Sequence, residues 1–153
     1  MKADVIDLKP AAVLILAGTN DLARGVSVAA IRNNLSMIAD LAVANGIKPI
    51  FASILPVSDY HKDKDPSFEM SKTRPPATIK ELNAWLQSMC RQRGFTYADY
   101  FAATVDAEGF FKSEFANDGL HPNAEGYRAM GPVAQAAVDR TLVPVVRKRG
   151  RKS

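Results

Sequence analysis

Residues 11–21 read AAVLILAGTND, and this stretch decides the fold of the chain. Its first seven residues form a short, uninterrupted apolar run, which is typical of a strand buried on both faces of a parallel sheet. Gly18 ends the run and permits a sharp turn, so Thr19, Asn20 and Asp21 follow at the carboxyl end of the strand. Open α/β sheets bind their ligands at that edge.

Strands and helices alternate downstream of this run. An apolar stripe over 27–45 predicts a helix that Gly46 ends. Residues 50–55 read IFASIL and predict a second strand. A helix over 77–93 and a short strand near 95–98 complete the next strand–helix unit. This alternation predicts an α/β fold built on a parallel sheet.

The segment from Val57 to Pro76 is polar and charged, without sustained periodicity, and predicts a long loop. Long loops at the carboxyl ends of strands often carry binding function, so this loop could line or cover an acyl or sugar pocket. A solvated excursion without such a role is the alternative.

Length and composition indicate one domain, over residues 1–144. The 153 residues are 47% apolar and 24% charged, which allows a buried core. No apolar run is long enough to cross a bilayer, so no membrane span is expected. The single Cys90 excludes an internal disulfide.

The positive charge is concentrated at the carboxyl terminus. The formal net charge is +4, and residues 147–152 supply five positive charges, so the rest of the chain carries −1. We therefore expect residues 145–153 to be a disordered basic tail. A nucleic-acid or anionic-surface binder that acts through this tail is a minor alternative.

Residues 118–123 read DGLHPN and lead into the last predicted helix, which begins after Pro122. A carboxylate three residues before a histidine in a tight turn can accept a hydrogen bond from the ring Nδ1–H. That bond would leave Nε2 of His121 free as a base, with Asp118 orienting the ring. An isolated pair of this kind is more often an ordinary surface turn. The side-chain amide of Asn20 is, however, suited to donate to a developing oxyanion, which favours a hydrolytic site.

Together, these two motifs resemble the SGNH family of serine ester hydrolases, also called GDSL-type lipases and acylhydrolases. Gly18 to Asp21 follow a buried strand as the family's third block does, and DGLHPNAEGY at 118–127 resembles its fifth block. Residues 5–10, 53–56 and 79–83 also resemble the family. The resemblance covers about Asp4 to Leu142.

The resemblance implies a three-layer α/β/α, flavodoxin-like parallel sheet and hydrolysis of small-molecule carboxylic esters by a Ser-His-Asp mechanism. It implies that His121 is the general base and acid and that Asp118 orients it. It places Asn20 in the oxyanion hole, with Gly18 and Asp21 supporting the loop.

The family's Gly-Asp-Ser block, which supplies the nucleophile, does not occur in this sequence. Ser58 is the nearest serine by position, at the end of the second predicted strand, but it lacks that context. The isolated chain is therefore predicted to be inactive or very weak, and a catalytically inactive domain for binding or assembly is the alternative. No metal or other cofactor is expected, because His61 and His121 are the only histidines and show no ligand spacing.

The missing block also has a structural implication. The family's strand order is 2-1-3-4-5, so this chain is predicted to be truncated at the N-terminus and to supply strands 3-4-5. The strand at Ala12–Leu16 would then lie at an edge with unpaired backbone groups. Such an edge invites pairing with another chain, so self-association through Ala12–Leu16 is expected.

Overall fold

The computed structural model describes residues 1–143, so the predicted tail at 145–153 lies outside the described residues. Three parallel strands form one sheet in the order β1-β2-β3. They are β1 (Ala12–Ile15), β2 (Lys48–Ala52) and β3 (Thr96–Ala98). The predicted α/β class with a three-stranded parallel sheet is confirmed.

Five α-helices surround the sheet within the described part of the chain. They are α1 (Thr19–Ala23), α2 (Val28–Ala44), α3 (Pro76–Arg93), α4 (Tyr100–Thr104) and α5 (Ala124–Leu142). A π-helical segment (Lys2–Ile6) and three 3₁₀ turns (Pro66–Phe68, Met70–Lys72 and Ser113–Phe115) complete the elements. Among residues 1–143, no helix is long and apolar enough to span a membrane.

The side chains of β2 point alternately into two apolar clusters, one on each face of the sheet. Phe51 packs in a cluster with Ile31 of α2 and Leu82 of α3 on one face. Ile50 and its neighbours pack on the opposite face, in a cluster that includes Met130 of α5. Helices therefore cover both faces of the sheet, as the resemblance implied.

Strand β1 differs from the prediction that it is buried on both faces. All four of its residues are half-buried, and Leu16, which follows it, is 43% exposed. The reason is its position, because among residues 1–143 β1 pairs only with β2 and its other edge is unpaired. An apolar groove of about 800 Å³ lies between the turn that follows β1 and helix α2, with Ala17, Ile31 and Leu35 in its walls.

The second strand is shorter than predicted, since it ends at Ala52 and not at residue 55. Beyond that point the sheet no longer supplies partners for the backbone of Ile54. The side chain of Asn83 replaces them, with Oδ1 accepting from Ile54 N–H at 2.7 Å and Nδ2 donating to Ile54 C=O at 2.8 Å. The chain thus stays buried there, although no strand among residues 1–143 pairs with it.

Candidate active site

The turn that carries Asp118 and His121 is closed by three hydrogen bonds to one carboxylate. Asp118 Oδ2 lies 2.6 Å from His121 Nδ1. Asp118 Oδ1 accepts from the backbone N–H groups of Leu120 at 2.9 Å and His121 at 2.8 Å. Asn123 caps α5 directly after the turn by accepting from Gly126 N–H at 3.1 Å. The spacing therefore produces the predicted Asp–His pair.

The charge state of Asp118 follows from its burial and its hydrogen bonds. Its side chain is three-quarters buried, and burial by itself raises the pKa of a carboxyl group. The hydrogen bonds from the His121 ring and from the backbone of His121 and Leu120 outweigh burial, and they hold the pKa of Asp118 below its ordinary value. Asp118 therefore stays ionised and can stabilise a protonated ring. The His121 side chain is 78% exposed, so a substrate can reach it.

Gly119, inside this turn, lies directly against Ser58. Its φ is +76°, and a Cβ atom there would lie 2.2 Å from the Ser58 carbonyl oxygen. The Ser58 N–H donates to the Gly119 carbonyl at 2.9 Å. The turn thus rests on the backbone of Ser58, and only glycine allows so close an approach.

The second turn leaves β1 at Gly18, whose φ is +115°. A Cβ at Gly18 would lie 2.9 Å from Cδ1 of Ile54, so the side chain of Ile54 forms the floor of this turn. Asn20 lies exposed in the short helix α1 and not in an irregular loop. Asp21 anchors the end of α1 through its backbone carbonyl, which accepts from Val26 N–H at 3.0 Å.

The two turns share a small crevice of about 40 Å³ at the carboxyl end of the sheet. Thr19 lines it from the first turn, and Leu120 lines it from the second. Ile54 and Leu55 also line it. The two motifs, about 100 positions apart in the chain, therefore meet through Thr19 and Leu120 at the edge where α/β sheets bind ligands, whereas Asn20, Asp118 and His121 do not line this crevice.

Ser58 does not have the setting of a nucleophile. It is completely buried, and its Oγ has no hydrogen-bond partner among the described residues. Among residues 1–143, no hydrogen bond joins Ser58 to the His121 ring, and His121 Nε2 makes no hydrogen bond to any group. Its role in this part of the structure is to support Gly119.

The long loop after β2 is tied to the segment that precedes the Asp118 turn. The Tyr60 hydroxyl donates to Asp106 at 2.7 Å, and the His61 ring lies 3.2 Å from the Ser113 carbonyl oxygen. Within the loop, Asp59 accepts from Ser71 N–H at 2.9 Å. These hydrogen bonds therefore anchor the first residues of the loop to the rest of the domain. A loop that is simply solvated would not need them.

Two buried polar residues were missed by sequence reasoning. Arg74 is 9% exposed, makes no salt bridge within the described chain, and leaves its Nε without a partner. Burial lowers the pKa of Arg74, and the nearby charge of Asp118 partly opposes that effect. Asn83 lies among the buried apolar residues of α3. A polar residue within that apolar face is the sequence signal that could have marked Asn83 as a buried hydrogen-bonding residue. Nothing in the sequence separated Arg74 from the other charges of the loop.

Comparison with known proteins gives a family and several similar structures. The model of the GDSL-like Lipase/Acylhydrolase family matches residues 2–129. A proposed acylhydrolase from Bacteroides fragilis NCTC 9343 is 31% identical with a TM-score of 0.82, and the match covers 93% of this chain and 67% of that one. A search of curated proteins found no match.

Two further structures are similar. A GDSL-like lipase from Bacteroides thetaiotaomicron VPI-5482 is 30% identical with a TM-score of 0.81, covering 92% of this chain and 68% of that chain. The lipase/acylhydrolase from Enterococcus faecalis is 25% identical with a TM-score of 0.72, covering 94% and 68%. The chain thus spans about two thirds of the length of these relatives. It belongs to the GDSL-like lipase/acylhydrolase family.

Proposed function

We propose that Asp118 and His121 form the acid–base half of a Ser-His-Asp ester hydrolase that acts on small-molecule carboxylic esters. One observation carries the proposal, namely the 2.6 Å contact between His121 Nδ1 and Asp118 Oδ2. It fixes the ring so that Nε2 faces away from the carboxylate and is available as a base. Membership of the family supports ester hydrolysis in general.

The nucleophile in this mechanism is a serine from outside these 153 residues. His121 Nε2 takes the serine proton as the oxygen attacks the ester carbonyl, and the Asn20 amide donates to the oxyanion. His121 then returns the proton to the leaving alcohol, and Asp118 stabilises the charged ring in between. In the second half of the reaction, His121 takes a proton from water as the water oxygen attacks the acyl-enzyme. His121 then gives that proton to the departing serine oxygen, which releases the acid.

A catalytically inactive domain for binding or assembly is the second candidate. The complete burial of Ser58 favours it, because that serine cannot reach a substrate without a local rearrangement. This candidate predicts that no serine-dependent hydrolysis can be obtained, even when the missing block is supplied.

The test is to fuse this chain to the part of the Bacteroides fragilis relative that it does not cover, and to measure hydrolysis of p-nitrophenyl acetate. The fused protein is expected to hydrolyse the ester, and His121→Ala is expected to lower kcat by about 10⁴-fold or more. His61→Ala changes the only other histidine and is expected to leave kcat unchanged. The isolated chain is expected to stay near background.

A folded fusion that gains no hydrolysis would favour the inactive domain. Labelling of Ser58 by a serine-directed phosphonate in the isolated chain would contradict the assignment of the nucleophile to an outside serine.

A further inference from the structure

One buried segment, residues 54–58, lies beneath both turns of the candidate site. It follows β2, and every residue in it is buried, with Ser58 and Val57 at 0% and 1% exposure. Its backbone is bonded on several sides, including Phe111 N–H to Val57 C=O at 3.1 Å. We call residues 54–58 the support segment.

The support segment contacts the first turn through a side chain. Cδ1 of Ile54 lies 2.9 Å from the position of a Cβ at Gly18, and Cγ2 of Ile31 lies 3.6 Å from the same position. Gly18 thus packs against two buried isoleucines. A shift of Ile54 would change the contact that supports Gly18 and the turn toward Asn20.

The same segment contacts the second turn through its backbone. The Ser58 N–H holds the Gly119 carbonyl at 2.9 Å, and the Ser58 carbonyl packs against the Gly119 Cα. Gly119 lies between Asp118 and Leu120, whose amide bonds to the Asp118 carboxylate. A shift of Ser58 would therefore change the turn that carries His121.

Asn83 fixes the support segment to α3. It is 7% exposed, and its amide satisfies both backbone groups of Ile54, at 2.7 and 2.8 Å. Buried backbone groups need partners, and no strand in the described part of the chain supplies them at Ile54. The neighbouring apolar side chains of α3 can hold the segment by packing, but packing alone does not set its register along the helix.

We infer that Asn83 is a positioning residue of the candidate site, because it holds the support segment on which the turns of Asn20 and His121 both rest. The inference relies on the proposed function only in treating these turns as one site. Among the described residues Asn83 makes no hydrogen bond to either turn, so it acts through Ile54 and Ser58.

The test is Asn83→Asp in the full chain, followed by hydrogen exchange in NMR. The substitution keeps the size of the side chain but replaces the donor to Ile54 C=O by a second acceptor. We expect the protection of Ser58 N–H and His121 N–H to fall about ten- to a hundredfold, while amides in the middle of α5 change less. The ¹⁵N shifts of the neutral His121 ring should show loss of the single Nδ1–H tautomer.

Asn45→Asp is the matched control. Asn45 makes a similar side-chain bond, to the Leu41 carbonyl at 2.8 Å, but it lies exposed at the end of α2. It is expected to leave the exchange of Ser58 and His121 unchanged. An equal loss of protection in every element after Asn83→Asp, or no loss at the two reporters, would overturn the inference.

A second variant keeps the test decisive if Asn83→Asp does not fold. Ile54→Val removes the Cδ1 atom beneath Gly18 and keeps both backbone bonds to Asn83. We expect faster exchange of Leu22 N–H, which bonds to the Gly18 carbonyl at 3.0 Å, and unchanged exchange of Ser58 N–H. Unchanged exchange at Leu22 would contradict the support of the first turn. Both readouts are independent of ester hydrolysis, so failure of the proposed function is seen separately.

Discussion

The carboxylate of Asp118 links the charge of the candidate site to the stability of the fold. Its hydrogen bonds outweigh its burial and lower its pKa, so the folded state favours the ionised form. A group with a lowered pKa stabilises the fold above the ordinary carboxyl pKa of about 4, and this contribution is lost as the pH falls through the lower folded value.

We therefore expect Asp118→Asn to reduce the acid sensitivity of the chain. The free energy of unfolding, measured with urea, should fall less between neutral pH and about pH 3 in the variant than in the wild type. Asp63→Asn, at an exposed loop residue, is the control and should keep the wild-type pH dependence. An unchanged acid sensitivity in Asp118→Asn would contradict this account of its charge.

Gly119 gives a second prediction at the residue scale. Gly119→Ala places a Cβ 2.2 Å from the Ser58 carbonyl, whereas Gly46→Ala meets no atom within 4 Å at almost the same φ, +71° against +76°. We expect Gly46→Ala to cost about 1–2 kcal/mol from backbone strain alone. Gly119→Ala should cost more than about 4 kcal/mol, or prevent folding. Equal costs in urea unfolding would show that the turn does not rest on Ser58.

At the scale of elements, β1 combines an apolar sequence with an unpaired edge. Leu16, directly after β1, is 43% exposed. Met37 of α2, which lines the apolar groove of about 800 Å³, is 67% exposed. Apolar edges of this kind pair with other chains. We expect the isolated chain to dimerise or aggregate at micromolar concentration in light scattering.

Leu16→Lys is expected to reduce this self-association, because a charge at the edge opposes pairing. Leu142→Lys is a matched control, since Leu142 is also 43% exposed but lies at the end of α5. A clean monomer of the wild-type chain, or equal effects of the two variants, would argue against pairing through β1.

The two long helices could be predicted because their sequence signals lie within each helix, whereas the limits and burial of the strands depend on residues far away in the chain. The helix over 27–45 and the helix over 77–93 carry strong apolar periodicity and capping residues, and both form within one residue of the predicted limits. The early end of β2 and the half-burial of β1 depend on which strands lie next to them. Periodicity along the chain cannot show that.

At the scale of the whole molecule, the charge is divided between a nearly neutral body and a basic tail. Deletion of residues 145–153 removes five positive charges and no described element. We expect the truncated chain to keep its circular dichroism spectrum and to melt within about 1–2 °C of the full chain, since tails of this kind make few contacts. A large drop in Tm would show that the domain extends past residue 144.

DNA binding by the full chain tests the minor alternative. Binding that falls steeply with salt and disappears on deletion of the tail would indicate a function for residues 147–152. We expect the full and truncated chains to bind DNA equally weakly.

The same contrast between local and distant signals applies to the candidate site. The Asp118–His121 bond follows from a spacing of three residues, so the sequence could predict it. The contacts of Ser58 with Gly119 and of Ile54 with Gly18 join positions that are far apart in the chain, and Arg74 is buried by the fold around it. These contacts are set by the three-dimensional fold and leave no signal in the local sequence.

The support segment has a consequence for how the family can diversify. Residues 54–58 contact both turns, whereas the exposed residues 62–67 that follow make no hydrogen bond to either turn among the described residues. That outer part can therefore change in length and chemistry while the distance between the turns is preserved. We therefore expect a loop graft between residues 62 and 67 to leave the relative position of the two turns unchanged.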